Sequence, residues 1–370
     1  MSYADRVAHQ LYRRQPGFPW ILASIILAPA GWLYAGLMRL RAEIYRRGWL
    51  TSTRSSCKVI SVGNLTIGGT GKTPISIFLA QALAVQGRKV AVISRGYRGE
   101  MEGQTAVVSD GRRILLNASQ AGDEAVLIAR ALPEIPVIIG ARRPEAVELA
   151  CQMLRPEVVI CDDAFSHLAL QRDCDVVLIH GRDGLGSGRC TPAGPLREPP
   201  SALRRATVIV LNCSAGEDTL TENEIRKSGY FGPVLRLRYG LPSWRRLRDG
   251  ATIELSALSD RRVLAFAATA RPSDIFQSFA TAGLEVAESM AFPDHFRYPA
   301  PALRQLEQVA AARGICYLAT TEKDAVKLPA AWPEGYEVLV AAVTVTGAPD
   351  NPGRLVELVE ERCWGNRPFS

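Results

Sequence analysis

The longest apolar block lies near the start of the chain. Residues 17–38, GFPWILASIILAPAGWLYAGLM, run for 22 positions without a charge. A single helix of that length reaches roughly 33 Å, enough to cross the hydrocarbon core of a bilayer. Pro29 and Gly31 sit at its middle, where a proline removes a backbone hydrogen bond and bends a helix. Three placements therefore stay open: a spanning helix, a segment lying in or dipping into one leaflet, and a buried core helix. Trp20, Trp32 and Tyr34 are candidate interface anchors. Arginines on both sides and the lack of a small-residue cleavage site speak against a removable signal peptide.

Beyond residue 56 the pattern changes to short β-branched runs separated by helically spaced apolar positions. Residues 58–62 predict a strand, and Ile75, Phe78, Leu79 and Leu83 predict the helix after it. Further strands are expected at 90–94, 137–140 and 158–161, with a helix beginning near Pro144. Such alternation implies a mostly parallel sheet. From about residue 233 the alternation resumes on a smaller scale, at 263–267, 274–282, 303–313 and 315–318. The run 336–347 reads as a strand pairing back on 233–238 to make a two-stranded hinge, followed by a last helix through Glu361.

The chain therefore divides into an apolar and basic membrane-proximal segment (1–56), a nucleotide-binding domain (57–232) and a smaller α/β domain (233–370). With 370 residues, two compact units plus an appendage are the natural expectation. Hydrophobic residues at 47% and charged residues at 22% exclude a disordered or fibrous protein.

Charge changes the picture only through its location. Residues 1–56 hold eight arginines (6, 13, 14, 39, 41, 46, 47, 54) against Asp5 and Glu43, so six of the formal +7 flank the apolar block. Basicity placed there suits an anionic lipid surface, not a nucleic-acid groove. Trp244 with Arg245, Arg246 and Arg248 reads as a solvated charged turn or a second lipid-facing patch. The eight cysteines form no C-x-x-C pair and fit buried thiols in a reducing compartment. Four histidines without ligand spacing leave no structural zinc motif.

Chemistry enters at Gly68-Gly69-Thr70-Gly71-Lys72-Thr73, between the strand at 58–62 and the helix after it. A glycine loop opening a helix brings backbone N–H groups and the positive helix end to phosphate oxygens. Lys72 reaches the terminal phosphates and Thr73 can ligate Mg²⁺, so the expected ligands are ATP and Mg²⁺. Thr66 stands where the usual pattern G-x-x-x-x-G-K-[ST] has its first glycine. The strand at 158–161 runs into Asp162 and Asp163, placing carboxylates at the carboxyl end of a buried strand, where ligands of open α/β sheets bind. Either aspartate can complete the metal site, or the two can cap a turn.

Several stretches together resemble the tetraacyldisaccharide 4'-kinase family: VGNLTIGGTGKTP (62–74), SRGYRG (94–99), GDE (122–124), DDAFSHLALQRD (162–173), PAGPLREP (192–199), FPDH (292–295) and TTEKDAVKL (320–328). They cover most of the chain in order, and the family's own loop shares the non-glycine start at Thr66. Ala164 and Ser166 depart from the usual D-D-G-F-Q-H, and AFAATARP (265–272) from a glycine-containing version, while Asp162, Asp163 and His167 are kept.

The resemblance implies transfer of the ATP γ-phosphate to the 4'-hydroxyl of an acylated disaccharide 1-phosphate in lipid A synthesis. It also implies a location at the inner membrane with the catalytic domains on its cytoplasmic face, membrane lipids as surroundings, no nucleic acid and no obligate protein partner. For the base it implies a pair, Asp123 from GDE and His295 from FPDH, which of them takes the proton staying open. By themselves Asp123 reads as a helix N-cap and His295 as a turn residue. Arg197 is the candidate for charge on the transferred phosphoryl group, with Glu198 a metal or water ligand; a surface ion pair is the plainer reading of both. TTEKD is characteristic of the family without an assignable role, and Thr321 with Asp324 has capping-box spacing. The competing function is a membrane-tethered P-loop NTPase switch that regulates a partner protein.

Overall fold

The computed structural model describes residues 18–212, 218–240, 243–258, 261–269, 272–329, 332, 335–347 and 350–365. Asp5, Arg6, Arg13, Arg14, Gly17 and Cys213, and the side chain of Trp20, lie outside the described residues.

Two sheets organise the described chain. The larger has nine strands: β1 (Lys58–Asn64), β2 (Val90–Ser94), β3 (Ala106–Ser109), β4 (Val137–Ile139), β5 (Val158–Asp162), β6 (Cys174–His180), β7 (Val208–Asn212), β8 (Val234–Tyr239) and β15 (Val345–Gly347). Their spatial order is β15-β8-β7-β6-β1-β5-β2-β4-β3, parallel from β8 through β4 and antiparallel at the two edges. The second sheet takes β9 (Ser243–Arg246), β10 (Thr252–Ile253), β11 (Arg262–Ala267), β12 (Glu285–Ala291), β13 (Tyr317–Thr321) and β14 (Glu337–Ala342) in the order β10-β9-β14-β13-β11-β12.

Beyond Lys58 the central strands β1 and β5 are buried along their length, as strands covered by helices on both faces are. One face packs the helices Lys72–Val85, Asp123–Ala131 and Pro352–Trp364 through Leu79, Ile128 and Leu355. The other packs the helix Arg143–Leu154 through Ala146 and Ala150. The order β6-β1-β5-β2 puts strands on both sides of β1, so the carboxyl ends of β1 and β5 open on a crevice where the following loops diverge.

Three expectations change. The apolar block 17–38 is not one helix: Phe18–Ile26 and Ala28–Arg46 are separate, and a proline opens the second. Pro29 lacks an amide to continue the ladder and is tolerated in a first turn. Among the described residues no helix is long and apolar enough to cross a membrane. The run 336–347 divides as well. Residues Glu337–Ala342 enter the second sheet as β14, and only Val345–Gly347 pair antiparallel with β8, Val345 opposite Tyr239. Trp244, finally, is neither solvated nor lipid-facing. It is 2% exposed and meets Phe279 edge to face at 5.0 Å, while Arg246 is paired with Asp249 and Glu337. Strand alternation turns the indole inward and Arg245 outward.

Candidate active site

The phosphate loop joins β1 to the helix Lys72–Val85. Gly71 is the N-cap with φ +86°, in the left-handed region where a side chain is strained. Lys72 follows as the first helical residue, with Nζ 3.3 Å from Asn64 Oδ1 and 3.5 Å from Asp163 Oδ1. Thr73 Oγ1 donates to Asp162 Oδ2 at 3.3 Å, and Ser76, one turn on, donates to Asp162 Oδ1 at 2.8 Å.

The two adjacent aspartates are electrostatically opposite. Burial, with the charge of Glu124 adding to it, pushes the Asp162 carboxyl up to about 6 against the pull of Lys72 and Ser76. Burial also acts against the Asp163 anion, but Lys72 and Arg197 outweigh it and bring that carboxyl down to about 2. Arg197 Nη1 spans both Asp163 oxygens at 3.1 and 3.0 Å, so Asp163 bridges the loop lysine and the PLREP arginine. His167, from the same loop, is pushed down to about 4, mainly by burial and next by Arg143.

Glu198 is placed elsewhere. It is buried and bonded to Arg205 at 2.8 Å, and among the described residues no hydrogen bond or ion pair joins it to Thr73, Asp162 or Asp163. Arg205 in turn lies over the Phe165 ring at 4.6 Å. No group of three or more His, Cys, Asp or Glu side chains among the described residues is arranged to hold a metal ion. Thr73 with Asp162 is instead a hydroxyl and carboxylate pair. That set fits Mg²⁺, which is held by one or two carboxylates with the rest of its shell supplied by phosphates and water.

A second constellation forms where the loop after β12 meets the start of the helix Asp123–Ala131. His295 Nδ1 lies 3.2 Å from Asp123 Oδ2, joining residues 172 positions apart. Asp123 is the first residue of its helix and does not cap it. Gly122 is the N-cap, at φ +85°, and a Cβ there would meet the Tyr97 carbonyl oxygen at 2.5 Å. The carboxylate is thus left free to face His295, and Tyr97 meets the imidazole edge to face at 5.6 Å.

TTEKDAVKL supplies the remaining partners. Lys323 Nζ sits 3.3 Å from His295 Nε2 and 3.1 Å from Asp294, and Lys327 Nζ lies 2.7 Å from Asp324 and 3.8 Å from Asp123. Thr321 caps the short helix Glu322–Ala325 by accepting from the Asp324 amide, and Asp324 also receives the Ala268 amide at 3.1 Å. The ammonium of Lys323 can only donate, so Nε2 accepts and Nδ1 carries the hydrogen given to Asp123. Of the five non-glycine residues with positive φ among the described residues, four lie in or beside these two clusters: Arg98, Asp163, His295 and Tyr298. Such strain concentrates where side chains must be aimed.

Spacing alone had not disclosed Lys323, Lys327, Ser76 or Arg143. Ser76 was readable as the residue one helical turn beyond Thr73. Arg143 carried no signal, yet it is fully buried and donates to the carbonyls of Ser94, Gly140 and Asp162, tying together the carboxyl ends of β2, β4 and β5.

The model of the family described as tetraacyldisaccharide-1-P 4'-kinase matches residues 23–363. A tetraacyldisaccharide 4'-kinase of Geobacter sulfurreducens is 42% identical over 311 residues, 84% of this chain and 85% of its own. One from Anaeromyxobacter dehalogenans is 40% identical over 323 residues, 86% and 84% of the two chains. The crystal structure of LpxK from Aquifex aeolicus in complex with ATP superposes with a TM-score of 0.73 at 29% identity, covering 92% of this chain and 100% of that one.

Proposed function

The chain belongs to the tetraacyldisaccharide-1-P 4'-kinase family, and from that premise we propose how its side chains carry the reaction. It is an ATP-using kinase of lipid A biosynthesis that phosphorylates the 4' position of an acylated disaccharide 1-phosphate. The observation that carries the mechanism is the Asp123–His295 pair, which joins the start of a helix packed on the large sheet to the loop after β12 of the second.

The amides of residues 68–73 and Lys72 hold the triphosphate. Thr73 and Asp162 would hold Mg²⁺, which when bound would neutralise charge on the phosphate oxygens. Asp163 keeps Lys72 and Arg197 side by side, so two cations face the charge that spreads over the transferred phosphoryl group. The acceptor hydroxyl gives its proton to Asp123. His295 and Lys327 both approach Asp123 through Oδ2 and leave Oδ1 for the substrate. His295 is thereby a positioning residue held by Lys323, and its Nδ1–H fixes which carboxylate oxygen faces the acceptor hydroxyl. A nucleotide switch has no use for this pair.

The N-terminal helices deliver the acceptor. Leu22, Ile25, Ile26, Trp32, Leu33 and Leu37 are each more than half exposed and form an apolar surface that water disfavours. Arg39, Arg46 and Arg47 follow it, as an anionic lipid surface requires. Arg41 donates to the Ser166 carbonyl at 3.3 Å, and Arg189 to Ser24 at 3.0 Å, so the helices are docked on the loops of the site. We place this surface on the cytoplasmic face of the inner membrane, where ATP meets a lipid-borne sugar. Incubating the protein with labelled ATP and the acylated disaccharide is expected to put label in the glycolipid, and Lys72→Ala to abolish it. ATP consumption indifferent to the acceptor would overturn the assignment.

A further inference from the structure

We propose that Tyr239, the last residue of β8, is a positioning residue for the phosphate loop, acting through the loop's carbonyl groups. Its hydroxyl donates to the Gly71 carbonyl oxygen and lies 3.4 Å from that of Thr70. The approach is so close that a Cβ on Gly71 would fall 1.6 Å from the Tyr239 oxygen. Gly71 is therefore required twice, for its positive φ and for the space the phenol occupies. Burial, with the charge of Asp162 behind it, pushes the phenol well above its usual range, so the hydroxyl is a donor at any physiological pH.

The reason this matters is the planarity of the peptide. In a trans peptide the C=O of one residue and the N–H of the next point in opposite directions. Holding the Thr70 and Gly71 carbonyls from outside aims the Gly71 and Lys72 N–H groups to the opposite side, into the phosphate cradle. A glycine-rich loop has little rotational preference of its own. An external donor removes the competing orientations before the nucleotide arrives, so less ordering entropy opposes binding. Nothing in the loop's own sequence supplies this donor; it comes from a strand 168 residues away. Tyr239 also stands where the chain leaves the large sheet, opposite Val345, where the chain has come back to it.

The inference rests on the kinase reading for its biological meaning, but its test does not need the acceptor. Tyr239→Phe keeps the ring and removes the donor. The Kd of a non-hydrolysable ATP analogue and the KM for ATP are expected to rise roughly fivefold, the usual weight of one hydrogen bond. The KM for the acceptor is expected to stay within experimental error, and the melting temperature to fall by only a few degrees, as one lost buried hydrogen bond implies. Tyr239→Leu, which removes the ring as well, is expected to weaken nucleotide binding at least as much. Unchanged nucleotide affinity in Tyr239→Phe, or a loss equal for nucleotide and acceptor, would overturn the proposal. A wild-type protein that binds the analogue but labels no glycolipid would count against the kinase reading alone.

Discussion

Replacing His295 by asparagine separates positioning of the base from binding of the nucleotide. His295 sits at φ +64°, a conformation that asparagine tolerates better than most non-glycine residues, so the backbone turn is kept. What is lost is the 3.2 Å bond to Asp123 and one of the two partners of Lys323, which keeps Asp294. A positioned general base contributes about 10² to 10⁴ in rate. Asp123 would still hold Lys327 at 3.8 Å, and Lys327 stays anchored on Asp324 at 2.7 Å. The carboxylate is then partly aimed, which places the loss in the lower half of that range, about 3–4 kcal/mol in the barrier. Neither ring nitrogen bonds to residues 68–73. With acylated disaccharide at saturation, kcat is expected to fall about 10² to 10³-fold with the KM for ATP unchanged. Asp123→Asn, which removes the proton acceptor itself, is expected to fall further. A His295→Asn enzyme turning over within about threefold of wild type would refute the assignment of the pair.

Two further outcomes follow from the same geometry. The Asp162 carboxyl lies at about 6 in the fold against 3.8 in the unfolded chain, so the folded state binds its proton more tightly. Stability then falls as pH rises through that interval, a penalty of up to about 3 kcal/mol at pH 7. In nucleotide-free buffer with chelator, Asp162→Asn is expected to melt above wild type at pH 7, the difference closing toward pH 4; a variant that melts lower, or by an amount independent of pH, contradicts the account. Replacing both Trp32 and Leu33, each 69% exposed, by glutamate is expected to reduce binding to anionic phospholipid vesicles tenfold or more while leaving the nucleotide Kd alone. Equal vesicle binding in a co-sedimentation assay would remove these helices from the membrane.

Much of the large sheet was legible because its information is local. The β-branched run 58–62, the glycines before Lys72 and the apolar spacing after it each follow from backbone sterics and from 2- and 3.6-residue periods within one segment. Asp162 and Asp163 were readable as site residues for the same reason, since the end of a buried strand fixes where they stand. The resemblance added the Asp123–His295 pair, which spacing alone would have assigned to a cap and a turn.

Tertiary structure decided what depends on partners from distant segments. Asp162 and Asp163 are neighbours of the same chemistry, yet Glu124 and burial raise one while Lys72 and Arg197 lower the other. Trp244 looked like a surface residue beside arginines until the pleat of β9 turned it against Phe279. Lys323 and Lys327 gained a role only when FPDH and GDE were brought to TTEKD, and Tyr239 only when β8 was laid beside the phosphate loop. A residue's type and local period fix its backbone state and which face it occupies. Its charge environment and hydrogen-bond partners are set by atoms far along the chain, and those contacts exist only in the folded arrangement.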